Sequence, residues 1–428
     1  MLLLTLPVLV AALFLQGKFS GQPALASTLY GLVFLSACSA IVFPPDSGDF
    51  VKYTNAFLSA SLIIRAVELL LVQDPGQLKH LERVSHSRYA WEPISRSLGL
   101  RRLLQVSDLV TNPRAVGWSH SSPKYLPPLR QVDPVEVNGW HSPDHRHRDH
   151  HHPVVLVATA DRLPFLTAQL CRAVVAYVFI DTYQATFARH YPDVCHGVQA
   201  LLVTIGLPIH ASAVNSEMLV RRYLLPPACW MTSYAFVDGI HAAGAIFSVG
   251  ILPFLAPSLA GDPWMHPPVF GPLRYMLTFS LRDIWGKMWH DLCRRPFLAL
   301  TLAIIPSAFP LPLKRFLVIC LSFAVSGLVH SAGTYAVSHD WTAVAMMMLF
   351  FGVLPLCIAA QQILSEQLLP RLLPAGSVAK FLIWLLDGAF VMAWGYHTSP
   401  WFIKHSKLPE AMASIPLPVS LWGLVVGA

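Results

Sequence analysis

Residues 316–338 read FLVICLSFAVSGLVHSAGTYAVS, a run that contains no Asp, Glu, Lys or Arg. A run of this length is sufficient to cross the hydrocarbon core of a bilayer as an α-helix. His330 lies within this run, and a polar side chain at membrane depth is costly unless it has a partner or a function. A second distinctive segment, Trp285-Gly-Lys-Met-Trp-His290, lies just upstream. Together the two segments indicate chemistry carried out inside a membrane.

The rest of the chain has the composition of a membrane protein with many spans. Of 428 residues, 54% are hydrophobic and only 12% are charged, whereas soluble domains carry about 25% charged residues. We predict an all-α, polytopic bundle of about 8–10 transmembrane helices. The predicted spans lie at 2–16, 24–43, 54–72, 164–184, 198–215, 230–256, 297–313, 316–338, 341–364 and 378–397, with a weaker one at 415–427.

Several classes of protein are disfavoured by the same composition. The net charge is +7, but the basic residues are scattered between apolar runs, which argues against nucleic-acid binding. The seven cysteines form no CxxC pair, so neither a disulfide framework nor a zinc site is predicted. No internal repeat is visible, which argues against an inverted-repeat transporter. Residues 2–15 are interpreted as a retained span, because no Lys or Arg precedes them as in a signal peptide.

A polar stretch divides the chain into three parts. We predict N-terminal transmembrane helices at 1–73, a polar loop at 74–163 and a membrane core at 164–428. The loop is rich in Lys and Arg, and the positive-inside rule therefore places it in the cytosol. The same rule makes the Arg221-Arg222 pair and the basic cluster at 282–295 cytosolic candidates.

The polar loop contains a histidine-rich tract at 141–152. The spacings His141-x3-His145 and His147-x2-His150 resemble the iron-binding boxes of membrane desaturases. All of these histidines fall in one low-complexity run, whereas a desaturase needs boxes at several helix ends. We therefore interpret the tract as solvated and predict no metal site. A metal-dependent membrane oxidase remains an alternative.

Residues 281–295, LRDIWGKMWHDLCRR, predict an amphipathic helix at the membrane surface. At 100° per residue, one face carries the apolar residues and the opposite face carries the polar ones. The apolar set is Leu281, Trp285, Met288 and Leu292, and the polar set is Asp283, Lys287, His290 and Arg294. Four basic side chains here can pair with the phosphates of an anionic cofactor: Arg282, Lys287, Arg294 and Arg295. A plain interfacial anchor is the alternative.

His330 has three possible roles. A neutral imidazole can accept a proton from a hydroxyl group. It can also form a hydrogen bond between two helices, or ligate a haem if a second axial ligand is present. The small residues Ser326, Gly327, Ser331 and Gly333 allow a neighbouring helix or a substrate to approach it closely.

Three further groups of intramembrane polar residues are interpreted as structural. Asp238 and His241, three residues apart, are placed to form a hydrogen bond with each other. Asp387 is predicted to cap a helix or to pair across the bundle. Arg65 and Glu68 are predicted to form an ion pair within one helix.

Three segments resemble the signature of wax synthase-like membrane-bound O-acyltransferases. They are Pro268-Val-Phe-Gly271, Ser280-Leu-Arg-Asp-Ile-Trp-Gly-Lys-Met-Trp-His290 and Ser326-Gly-Leu-Val-His330. In such proteins the second segment tends to read Phe-Trp-Gly-Arg-Arg-Trp-His. This chain has Ile284 in place of Phe, and Lys287 and Met288 in place of the two arginines, so one positive charge is lost.

The resemblance implies an acyl-CoA-dependent O-acyltransferase in the lipid bilayer of the endoplasmic reticulum or another endomembrane. It implies that His330 is the general base and that His290 positions a substrate or stabilises the oxyanion. The cofactor-binding set would be Arg282, Trp285, Lys287, Trp289, Arg294 and Arg295. Fungal members commonly move acetyl groups from acetyl-CoA to terpenoid or polyketide secondary metabolites, and plant members make wax esters.

We therefore predict transfer of an acetyl group from acetyl-CoA to the hydroxyl of a hydrophobic, terpenoid-like secondary metabolite. The acyl-CoA is a co-substrate, and no permanently bound cofactor is expected. The lipid bilayer, the acyl-CoA and the hydrophobic alcohol are the expected partners. A fatty-acyl wax synthase and a multi-span transporter remain as alternatives.

Overall fold

The computed structural model describes residues 2–15, 23–85, 88–127, 129–131, 154–157, 161–204, 213–256, 261–374 and 376–426. The histidine-rich tract at 141–152 lies outside these residues. Helices dominate the described part of the chain: α1 Leu2–Leu15, α2 Pro23–Val42, α3 Asp49–Val72, α4 Leu100–Thr111, α5 Arg162–Arg189, α6 Tyr191–Thr204, α7 Ser216–Leu255, α8 Leu281–Asp283, α9 Arg294–Ile304, α10 Leu311–Ser338, α11 Trp341–Leu372, α12 Ser377–Ser406, α13 Leu408–Ala413 and α14 Leu421–Val426.

Six of the described helices are long and apolar enough to cross a membrane, namely α3, α5, α7, α10, α11 and α12. Two shorter apolar helices, Thr5–Leu15 and Ser27–Val42, accompany them. This architecture confirms the predicted all-α, polytopic membrane fold. The described residues thus contain six helices of spanning length, fewer than the predicted 8–10.

Two of the sequence-predicted spans are shorter in the structure than expected. The run 297–313 is divided, because α9 ends at Ile304 and α10 begins at Leu311. Pro306 and Pro310 lie between these two helices, and proline lacks the N–H that would continue a helix. The weak run 415–427 contains only the six-residue helix α14, which is too short to cross a bilayer.

The polar stretch after α3 folds into a small antiparallel sheet. Its strands are β1 Lys79–Ser85, β2 Arg88–Pro93, β3 Leu129–Gln131 and β4 Val154–Val157, in the order β1-β2-β4-β3. The buried residues Leu81 and Tyr89 pack against Trp264 and Met265 of the loop after α7. The stretch is therefore fastened to the helical bundle, whereas its cytosolic location remains a prediction.

Helix α10 lies between α3 and α11 at very short distances, because glycines face both neighbours. A Cβ atom at Gly333 would be 2.9 Å from the ring of Tyr53 on α3. A Cβ atom at Gly327 would be 3.0 Å from the Cβ of Phe351 on α11. Small residues permit such close approach between membrane helices. The contacts hold Tyr53 and Phe351 on either side of His330.

Candidate active site

The imidazole of His330 lies among aromatic side chains from two other helices. Its Nδ1 is 3.1 Å from the hydroxyl oxygen of Tyr53. The ring of Phe351 stacks on the imidazole with ring centroids 5.0 Å apart. The ring of Phe57 meets the imidazole in a T-shaped arrangement, with centroids 5.1 Å apart. These contacts fix the plane of the imidazole and leave little freedom for the ring to rotate.

The other nitrogen of His330 is available for chemistry. The side chain is only half-buried, and Nε2 makes no hydrogen bond to any described residue. Nε2 is not fully enclosed by the described side chains, so it faces accessible space. A neutral imidazole has one N–H donor and one acceptor nitrogen. If Nδ1–H donates to the Tyr53 oxygen, Nε2 presents a lone pair to that space.

The tryptophan-rich segment does not form the single surface helix that the sequence predicted. The short helix α8 continues as a π-helix over Ile284–Met288 and then ends, with Trp289 in an extended conformation. The N–H of Gly271 donates to the carbonyl of Met288 at 2.8 Å. A Cβ atom at residue 271 would lie 1.9 Å from the Lys287 carbonyl oxygen. This close crossing of Pro268–Gly271 over the segment competes with the helix and ends it.

The end of the helix places His290 inside the protein and not on an exposed polar face. The centroid of its ring lies 5.8 Å from that of Phe270 and 5.5 Å from that of Trp289. Its Nδ1 is enclosed and has no hydrogen-bond partner among the described residues. Burial lowers the pKa of His290 to about 4, with Asp291 opposing and Arg294 adding to the effect. His290 is therefore neutral near pH 7.

A series of aromatic contacts joins the two histidines. Trp230 on α7 contacts both Trp285 and Trp289, at 5.5 and 5.0 Å. From Trp230 the contacts continue to His330 through Phe402, Phe350 and Phe351, with centroid distances of 5.1, 4.6, 5.3 and 5.0 Å. The structure thus brings the two predicted catalytic histidines and both tryptophans into one aromatic region, although they come from separate segments.

The four basic residues of the predicted phosphate-binding set divide into two pairs. Arg282 and Lys287 have exposed side chains. Arg282 Nη1 lies 3.6 Å from Glu366 Oε1, and Lys287 Nζ lies 2.7 Å from Asp283 Oδ1. Arg294 donates to the Trp285 carbonyl at 3.4 Å. Arg295 forms an ion pair with the buried Glu68 and donates to the His120 carbonyl at 3.0 Å. Arg294 and Arg295 therefore stabilise the tryptophan-rich segment through contacts within the protein.

The three groups interpreted as structural behave differently from one another. Arg65 and Glu68 form the predicted ion pair. Asp387 accepts a hydrogen bond from Gln361 Nε2 at 3.0 Å, which confirms the predicted pairing across the bundle. The predicted bond between Asp238 and His241 is wrong, because Asp238 instead accepts from Arg172 on α5 at 2.9 Å. An arginine offers a charged donor, which a neutral histidine does not.

Sequence reasoning missed Tyr53, which lies 277 residues from its partner His330. It is one polar residue near the start of an apolar helix, and no local pattern distinguishes it. Among the described residues, no cluster of three or more His, Cys, Asp or Glu side chains has the geometry to hold a metal ion.

Comparison with known proteins finds one matching family and several similar proteins. Residues 266–353 match the Membrane bound O-acyl transferase family. The acetyltransferase atnC of an Arthrinium species is 28% identical, over 95% of this chain and 88% of that protein. The O-Mevalon transferase yanI of Aspergillus niger is 24% identical, over 77% of this chain and 68% of that protein. The O-Mevalon transferase macI of Penicillium terrestre is 32% identical, over 72% of this chain and 64% of that protein. No solved structure matches the chain.

The fold defines an integral membrane protein built from apolar helices, and the matched region contains both the tryptophan-rich segment and His330. The chain resembles membrane-bound O-acyltransferases, as its motifs predicted: the family match covers residues 266–353, and the relatives are named as acetyltransferases and O-Mevalon transferases. It is an O-acyltransferase enzyme.

Proposed function

We propose that this enzyme transfers an acetyl group from acetyl-CoA to a hydroxyl of a hydrophobic, terpenoid-like secondary metabolite, with His330 as the general base. The observation that carries the proposal is the environment of His330. Tyr53 engages Nδ1 at 3.1 Å, while Nε2 faces accessible space among aromatic side chains. A base must reach the proton that it removes through an accessible nitrogen.

In the proposed reaction the hydroxyl oxygen of the acceptor attacks the thioester carbonyl carbon as its proton passes to Nε2 of His330. A carbon–oxygen bond forms and the carbonyl oxygen becomes an oxyanion. The carbon–sulfur bond then breaks, and the CoA thiolate takes the proton from His330. The products are the ester and free CoA, and no acyl-enzyme intermediate is formed.

His290 is assigned to the oxyanion in this scheme. Because its pKa lies near 4, its ring is neutral and carries one N–H. Its Nδ1 is enclosed, so the proton is assigned to Nε2, which then donates to the developing charge. A preorganised donor in a site that excludes water contributes about 3–4 kcal/mol to transition-state stabilisation.

The acyl donor is assigned to the side of the tryptophan-rich segment. Trp285 and Trp289 lie next to His290 and provide apolar contacts for the acyl and pantetheine portions. The exposed cations Arg282 and Lys287 are assigned to the CoA phosphates. Arg294 and Arg295 support the segment behind them through the contacts described above. The acceptor alcohol enters from the bilayer, in the endoplasmic reticulum or another endomembrane.

The test uses membranes that contain the full-length protein, labelled acetyl-CoA and a lipophilic extract of the producing cells. An acetylated product that requires His330 supports the proposal. A matched reaction with palmitoyl-CoA separates acetyl transfer from wax-ester formation. Release of free CoA without an ester product in either reaction would refute O-acyl transfer to these acceptors.

A further inference from the structure

The polar segment between α3 and α5 contacts the loops that carry His290 through one buried arginine. Arg114 is only 5% exposed. Its Nη1 donates to the carbonyl of Pro267 and its Nη2 to the carbonyl of Pro268, each at 2.8 Å. Its Nε lies 3.2 Å from Oδ1 of Asp291, and its guanidinium carbon lies 4.6 Å from the Tyr125 ring centre. Arg114 thus contacts the loop before Gly271 and the residue after His290 simultaneously.

The backbones of these two loops are joined at two points. The backbone pairs only through Gly271 N–H to the Met288 carbonyl at 2.8 Å and Asp291 N–H to the Val269 carbonyl at 3.2 Å among the described residues. The two prolines have no N–H of their own to extend the pairing, yet their carbonyl oxygens still require donors when buried. The rigid fork of a guanidinium can serve both carbonyls at once, and a lysine ammonium cannot reproduce that geometry.

Asp291 has a second set of donors from the same polar segment. Lys124 Nζ lies 2.7 Å from its Oδ2, and the Tyr125 hydroxyl donates to the same oxygen. Burial alone would raise the pKa of Asp291, but the Arg114 charge and these hydrogen bonds hold it below its usual range. Asp291 therefore stays ionised and fixed, directly beside His290 in the chain.

We infer that Arg114 is a positioning residue for acyl transfer, which holds the Pro268–Gly271 loop and Asp291 so that His290 keeps its place against Phe270. The inference rests on the proposed role of His290. The inference also gives the polar segment a function in catalysis. The small sheet of that segment contacts the loop after α7 at a second place, Asp262. Asp262 accepts from the Tyr89 hydroxyl and from Arg83 Nη2, the latter at 2.5 Å.

The test is a double-mutant cycle on the full-length enzyme in membranes, with Arg114→Met, His290→Ala and the combined variant. Arg101→Met is the matched control, because Arg101 is exposed and pairs with Glu82 at 2.6 Å. We expect Arg114→Met to lower kcat by up to about a hundredfold, the cost of displacing a catalytic group by about 1 Å, with less than a twofold change in KM for acyl-CoA. Arg114→Lys should recover only part of that loss, and Arg101→Met should leave kcat unchanged.

The decisive comparison is the effect of Arg114→Met in the His290→Ala background. If Arg114 acts through His290, its removal there should lower kcat by less than about twofold, because contacting groups are not additive. An equal loss in both backgrounds would overturn the inference and reduce Arg114 to a structural role. Full activity of His290→Ala would overturn both the role of His290 and this inference. Retained activity of His330→Ala is a separate result that refutes only the assignment of the base.

Discussion

The hydrogen bond between Tyr53 and His330 offers the sharpest test of the proposed base. Tyr53→Phe removes one oxygen atom and keeps the ring that packs against Gly333 and Phe57. We expect the variant to fold normally in the membrane and to transfer acyl groups more slowly. The physical reason is that Nδ1 of His330 loses the group that fixes its proton and its orientation.

The size of the effect follows from the geometry. The Tyr53 oxygen lies 3.1 Å from Nδ1, a normal distance for a neutral hydrogen bond. Such a bond contributes about 0.5–1.5 kcal/mol net, and each 1.36 kcal/mol corresponds to about a tenfold change in rate. We therefore expect kcat to fall by about 2- to 12-fold.

The assay measures initial rates of acyl-CoA consumption and ester formation in membranes, normalised to the amount of folded protein. Tyr335→Phe is the matched control. Tyr335 lies on the same helix as His330, and its ring contacts only His339 and Trp341 among the described aromatic side chains. Wild-type rates for Tyr53→Phe, or an equal decrease in both variants, would refute the idea that Tyr53 orients the base.

Three further predictions concern the same region. His330→Ala should lose at least about 99% of activity, since general-base catalysis contributes about 10²- to 10⁴-fold, while the protein remains folded in membranes; turnover near the wild-type rate would exclude His330 as the base. Gly333→Ala should lower the free energy of unfolding by about 1–3 kcal/mol through overpacking against Tyr53. Gly352→Ala should not, because a Cβ atom at that position would have no neighbouring atom within 4 Å. Equal melting temperatures for the two variants would contradict the close packing. The pKa of His290 is about 4 in the folded protein and about 6.5 in an unfolded chain, so the unfolded state binds more protons between these values and stability falls as pH drops from 6.5 towards 4. His290→Asn should lose less stability over that window, and parallel melting-temperature curves for the two proteins would be inconsistent with a buried neutral His290.

The membrane fold was accessible from the sequence because hydrocarbon imposes a simple rule on composition. A span must be apolar over about 20 residues, so runs such as 316–338 indicate their structure without knowledge of their neighbours. The same rule makes His330 conspicuous, since ionisable groups are rare inside spans. The prediction failed for 281–295, where periodicity predicted one helix but the crossing of Gly271 over Lys287 and Met288 ended it.

Local composition and short motifs were therefore enough to predict the class of fold, the resemblance to a family and the two histidines as candidates. Which groups meet was set by the packing of the helices and loops. It brought Tyr53 to His330 and Arg114 to Asp291, and it turned Arg295 inward to Glu68 while leaving Lys287 exposed. The three pairings join residues 177 to 277 positions apart. They depend on how helices and loops pack in three dimensions, which no periodicity along a single chain encodes.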